Sequence, residues 1–320
     1  MITMNDRAYK LAGQMIADAE SLNIAVEKLE SGATVIDAGI DVDGSFEAGK
    51  LYSEICMSGL GTCEFCELQY DDFSLPGVKV MVNNPVISCM GSQYAGWSIR
   101  VERGGKKPYQ AMGSGPARAL YFKEELLHKL DISESSDKTV LLLEIGMHPD
   151  DEVALWVSQR CKVSPDKIII IAAPTASIVG SIQIAARIVE TGMHKMMETG
   201  FDIKNITSGF GTCPIAPVAE NDLKAIGRTN DAVLFGGKAW YTARSGPDVI
   251  EKIIDILPSC ASDDYGAPFY ELFKSYDYDF YKIDPMLFSP AEISINDVLS
   301  GRTFRAGKVS SDLLKKGLFS

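Results

Sequence analysis

Residues 168 to 173 read Ile-Ile-Ile-Ile-Ala-Ala, a run of strand length with no polar position. A strand with one wet face alternates apolar and polar residues, so this one is expected to be buried on both faces, within a sheet covered by helices on either side. The chain turns at Pro174, and Ser177 stands where it can cap the next helix. From Ile178 onward the positions are almost all apolar except Gln183, Arg187 and Glu190. Their i, i+4, i+7 spacing predicts one continuous buried helix with a narrow polar stripe. Such a stripe, on a helix leaving the C-terminal end of a buried strand, is a common ligand position in α/β proteins. The same Arg and Glu three residues apart also fit an ordinary helical ion pair.

The surrounding chain supports the α/β reading. Thr139 to Ile145 reads as another strand, and Asp150 to Cys161 as an amphipathic helix with Val153, Trp156, Val157 and Cys161 inward, so that 139–173 forms a βαβ unit. Helices are expected at Arg7 to Leu22, Phe46 to Leu60, Pro247 to Leu257 and Pro268 to Tyr276. Strands are expected at Thr34 to Ile40, Val78 to Val82, Ser98 to Glu102, Ala232 to Phe235 and Ile293 to Asn296, with a late hairpin arm at Gly301 to Gly307. The most polar interruption is Asp131 to Lys138, which suggests domains 1–136 and 137–320 with some segments able to interleave. Ser58-Gly-Leu-Gly-Thr-Cys63 echoes Ser208-Gly-Phe-Gly-Thr-Cys213, too short a match to establish duplication.

Composition narrows the partners. The 320 residues are 46% hydrophobic, enough for a large core. A net charge of −12 argues against nucleic acid, whose binders need a basic face. No apolar run approaches bilayer length and residues 1–7 lack a signal-peptide core, so a cytoplasmic protein is expected. Seven cysteines, an odd number, suggest reduced thiols. Cys63-Glu-Phe-Cys66 is the sole CxxC, and His128, His148 and His194 are scattered, so no metal site is expected.

Other motifs weigh less. The chain has no GxSxG elbow, Walker loop or HExxH. Gly209-Phe-Gly-Thr-Cys-Pro214 lacks the third glycine of a dinucleotide loop and meets a proline where a helix should run. Gly113-Ser-Gly-Pro116 reads either as an anion cradle or as a tight turn before a helix. The pairs Asp263-Asp264 and Asp277/Asp279 fit divalent-ion binding on paper but are more typical of turns and caps. Tyr276, Tyr278, Phe280, Tyr281 and Phe288 are, as a run, more typical of core packing.

The block Ala173-Pro-Thr-Ala-Ser-Ile-Val-Gly-Ser181 with Arg187 and Glu190 resembles the signature of methenyltetrahydromethanopterin cyclohydrolases, enzymes of one-carbon metabolism. The likeness continues in order through Gly44–Gly49, Ala111–Arg118, Pro214–Ala219, Gly227–Ala232, Asp264–Gly266 and Asp277–Pro285, over nearly the whole chain. It implies two α/β domains with the active site in the cleft between them, a homotrimer, and no cofactor beyond the pterin carrier, which is the substrate. It also implies that Glu190 is the general acid and base, with Arg187 as its partner, in reversible hydrolysis of the methenyl bridge to the N5-formyl compound. A carboxylate in an apolar pocket tends to protonate, and a neighbouring guanidinium counters this.

For the pterin ring the resemblance points to Phe288 and to the segment Gln93–Trp97, with Tyr94 and Trp97 both candidates. Ser177, Ser114 and Gln183 are further substrate-side candidates, Gln183 equally suited to satisfying nearby backbone. Arg118 and Arg228 stand in similar segments, either for the anionic tail or for pairing with an acidic neighbour. Two other readings remain: a non-catalytic carrier-binding protein, and a metal-dependent hydrolase using the aspartates of 263–284.

Overall fold

The computed structural model of the chain describes residues 3–105, 107–279 and 282–319. They fall into two compact units, Met1–Gly61 with Ile87–Gln183, and Thr62–Val86 with Ile184–Ser320. The units interleave, and the polar stretch 131–138, where a break was expected at 136/137, lies inside the first of them. Each is built on a six-stranded mixed sheet. The strands are β1 (Ala25–Lys28), β2 (Thr34–Asp37), β3 (Gly61–Tyr70), β4 (Phe73–Val82), β5 (Trp97–Val101), β6 (Tyr109–Ser114), β7 (Thr139–Glu144), β8 (Ile168–Ala173), β9 (Ile206–Pro214), β10 (Lys238–Ala243), β11 (Glu292–Asp297) and β12 (Thr303–Gly307).

The first sheet runs β1-β2-β8-β7-β6-β5, with β2, β8 and β7 parallel. Its centre is β8, whose six apolar residues are all buried. Ile168, Ile170 and Ala172 pack with Val153, Ala154, Val157 and Cys161 of the helix Asp151–Cys161, while Ile169, Ile171 and Ala173 pack with the helices Met4–Ala17 and Phe46–Cys56. An unbroken apolar strand is thus the consequence of helices on both faces. Asp150 caps the 151–161 helix by accepting from the Val153 N–H.

The second sheet runs β12-β11-β10-β9-β4-β3. Its β9 is the segment that reads as a glycine loop in sequence. An added Cβ at Gly209 would stand 2.5 Å from Val189, and one at Gly211 2.6 Å from Ile188, so both glycines let the helix Ile188–Glu198 lie close on the sheet. The echoing Ser58-Gly59 has left-handed backbone at the end of the 46–56 helix, so the two hexapeptides have different conformations. The apolar run Ala232–Phe235 is not a strand but a π-helical turn, Ala232–Gly236, extending the helix Asp222–Asp231. A short apolar run without alternation does not distinguish the two, whereas the true strand, β10, alternates exposed and buried from Lys238.

Candidate functional site

In the first unit the parallel strands β2, β8 and β7 end in polar chemistry. Glu144, the last residue of β7, accepts from Thr175 Oγ1 at 2.5 Å on one oxygen and from Gln183 Nε2 at 3.0 Å on the other. Ser177 caps the helix Ile178–Ala185: its Oγ accepts from the Gly180 N–H at 2.9 Å and donates to the Pro174 carbonyl at 2.7 Å. At the end of β2 the buried Asp37 carboxylate accepts backbone N–H groups of Gly39, Ile40 and Asp41. His148 Nε2 lies 2.8 Å from Asp41 Oδ2 and 3.9 Å from Asp37 Oδ2. Among the described residues these three form the one group of side chains within mutual reach of a metal ion, and sequence spacing did not reveal it.

Besides the buried Ser177 and Gln183, three further candidates of this unit are interior. Trp97 is 2% exposed, stacked on Tyr121 at 4.5 Å and on Trp156 at 5.6 Å, which leaves Tyr94 as the partly exposed aromatic of its segment. Arg118 is fully buried: Nε and Nη2 grip the Glu124 carboxylate at 2.5–3.1 Å, and Nη1 donates to the carbonyls of Met90 and Ser92. It pairs with an acidic neighbour, and its guanidinium sits 5.4 Å from the Tyr94 ring. Ser114 is buried, with Oγ 3.3 Å from Cys56 Sγ. Gly113 and Ser114 end β6, and Gly115, with positive φ, turns the chain at Pro116 into the helix Ala117–Tyr121.

In the second unit the expected continuous helix is broken. Arg187 has ψ near 2° and its N–H bonds Ile184 three residues back, so the 178–185 helix ends and Ile188–Glu198 begins afresh. Gln183 therefore leaves the stripe, while Arg187 and Glu190 remain together at i, i+3, with Nη1 and Oε2 3.9 Å apart. Their side chains are 11% and 8% exposed, unlike a solvated surface pair. The helix is fixed next to Glu190: the buried Tyr241 hydroxyl on β10 donates to the Val189 carbonyl at 2.8 Å.

Phe288 is half-buried, its ring 5.7 Å from Phe269, just after the turn Pro285–Leu287. Asp264 accepts from the Asp284 N–H and the Tyr276 hydroxyl, and Asp284 caps the turn through the Met286 N–H. These carboxylates order a loop, as their turn-rich context suggested. Phe280 and Tyr281 lie outside the described residues. Arg228, on the 222–231 helix, donates to the Pro217 and Val218 carbonyls.

Two buried charges were not anticipated. Burial raises Asp231 to about 7 against a single backbone N–H from Phe269, and lowers Lys195 to about 8 against the opposing field of Asp284 and Cys260. The signal for Glu144 was present in sequence, a lone charge ending an apolar strand. Nothing local marked Lys195.

Two mixed sheets with helices packed on them define an α/β protein, and its second unit holds a buried carboxylate beside a guanidinium. A family model described as Cyclohydrolase (MCH) matches residues 3–318. The methenyltetrahydromethanopterin cyclohydrolase of Methanocaldococcus jannaschii is 45% identical over 325 residues, covering 99% of this chain and 98% of that one. Its namesake from Methanothermobacter marburgensis is 45% identical over 322 residues, 99% of each, and that from Methanococcoides burtonii 38% over 316 residues, 98% and 97%. The chain belongs to the methenyltetrahydromethanopterin cyclohydrolase family.

Proposed function

We propose that this chain reversibly hydrolyses 5,10-methenyltetrahydromethanopterin to the N5-formyl compound, with Glu190 as general acid and base and Arg187 as its partner. The observation that carries the residue assignment is the buried Glu190 carboxylate 3.9 Å from the Arg187 guanidinium. The substrate is an amidinium-like cation, so its bridging carbon is electrophilic already, and the task is to deprotonate water and then release a nitrogen. Glu190 takes one water proton as the C–O bond forms and hands it to the departing nitrogen as the C–N bond breaks, while the adduct's hydroxyl proton leaves to solvent as the formyl C=O forms, carrying away the cation's charge. Arg187 offsets the attraction of Glu190 for the cationic ground state, which by itself would strengthen binding without speeding turnover.

Phe288 serves as an apolar wall for the pterin ring, and Tyr94, partly exposed where Trp97 is buried, is the aromatic of the 93–97 segment assigned to the other wall. The reaction needs no metal and no redox cofactor in this reading. Assembly as a homotrimer is supported by a row of exposed apolar side chains, Met81, Phe210 and Trp240, aligned across β4, β9 and β10. A cytoplasmic setting is supported by seven cysteines in thiol form; no helix among the described residues is long and apolar enough to cross a membrane.

The test is loss of the methenyl chromophore on adding purified protein, before and after exhaustive chelation and with the folate analogue as control. Chelator-resistant turnover of the methanopterin substrate, far above that of the folate analogue, is expected. Binding without turnover would leave a carrier-binding protein, and loss of activity restored by zinc or magnesium would favour a metal hydrolase.

A further inference from the structure

Lys195 lies on the same helix as Glu190 but is 1% exposed. A buried ammonium is costly unless it has acceptors. Its Nζ donates to the main-chain carbonyl of Met286, in the turn that ends at Phe288. That turn is tied from its other side as well. Asp284 caps it through the Met286 N–H at 2.9 Å and accepts from Ser262 Oγ at 2.5 Å, while the Asp284 N–H donates to Asp264 at 2.8 Å. The Phe288 ring then rests on Phe269, whose own N–H is held by Asp231 at 2.8 Å. The lysine is thus the strut that joins the helix carrying the proton-transfer carboxylate to the turn carrying the aromatic wall. A packed apolar residue of similar length would fill the space at lower desolvation cost but leave the Met286 carbonyl without this donor.

We propose that Lys195 is a positioning residue for the reaction, fixing the Phe288 wall to the Glu190 helix through the Met286 carbonyl. The inference rests on the cyclohydrolase reading. Since a stacking wall acts on ground state and transition state alike, its misplacement belongs in KM rather than kcat. The test is a double-mutant cycle of Lys195→Met and Phe288→Leu, with amide hydrogen exchange across 284–288 read on the same proteins. Expected for Lys195→Met are faster exchange in that turn, a KM raised by roughly 10- to 100-fold, the scale of an ångström of mispositioning, and kcat close to wild type. The double variant should then be little worse than Phe288→Leu alone, because Lys195 acts through that ring. Lys195→Gln, shorter and polar, gives the same reading if the methionine variant does not fold. Unchanged KM and exchange in an active enzyme, or KM effects that simply multiply, overturn the positioning role. A wild type that turns over no methenyl substrate overturns the functional reading itself, and with it the role of Lys195.

Discussion

Among the described residues each unit holds one arginine–glutamate pair with both side chains largely buried, and the two are held in opposite ways. Arg118 and Glu124 are clasped at 2.5–3.1 Å, with two more guanidinium bonds to main-chain carbonyls. Arg187 and Glu190 stand 3.9 Å apart, beyond hydrogen-bond reach for those two atoms, and both remain slightly exposed. A carboxylate locked by a bidentate arginine does not move, which suits it to fixing a fold. In the proposed mechanism Glu190, with Arg187 Nη1 3.9 Å from its Oε2, is the carboxylate that takes and returns a proton. On the proposed mechanism, the distance between the partners rather than their identity separates structural from catalytic use.

The comparison is broken most forcefully at Glu190. Glu190→Gln keeps shape and removes the proton acceptor, so kcat should fall by about 100- to 10,000-fold, the usual worth of a general acid–base group. Near wild-type turnover in a stopped-flow or steady-state assay would take Glu190 out of the mechanism. Next in size is Arg118→Met, which strands the Glu124 carboxylate and should cost about 3–5 kcal/mol of stability in denaturant melts, with kcat per folded molecule little changed. Arg187→Lys tests geometry: a point charge cannot reproduce a planar fork, and kcat should drop by roughly 10- to 100-fold, as for a mispositioned catalytic group. A full-rate lysine variant would reduce Arg187 to a replaceable charge.

The smallest effect concerns Asp231. Burial raises its folded-state value to about 7, above the roughly 3.9 of an unfolded Asp. Between those values the native state holds a proton that the unfolded chain releases, so this group's contribution to stability is full below about pH 4 and is lost as pH rises through 7. Asp231→Asn keeps an acceptor for the Phe269 N–H and abolishes the titration. Its melting temperature relative to wild type should therefore rise between pH 5 and pH 8, by an amount on the order of a few degrees. A pH-independent difference would show that Asp231 does not titrate in this window.

What was legible in the sequence follows from which physical signals are local. The double burial of β8 was readable because both of its faces are apolar. The strand β9 was hidden because Gly209 and Gly211, placed there for the approach of Ile188 and Val189, look like a loop without the helix they accommodate. Interleaving was allowed for, but which segment crosses was hidden, since residues 62–86 join the second sheet by long-range pairing of β4 with β9 and no composition shift marks the crossing. At the site, Arg187 and Glu190 came from the motif. Arg118 and Trp97 stand in equally motif-like segments yet are interior, because burial and pairing are decided by distant chain. The break at Arg187 left no mark on the apolar pattern.

The most direct test of the distinction between the two pairs is to make the same substitution in each and read both turnover and stability. Glu190→Gln and Glu124→Gln remove one negative charge while conserving shape. The account predicts that Glu190→Gln abolishes most methenyl hydrolysis with its melting temperature near wild type, and that Glu124→Gln lowers the melting temperature while the folded fraction turns over normally. The reverse outcome, or equal loss of turnover from both, would contradict it.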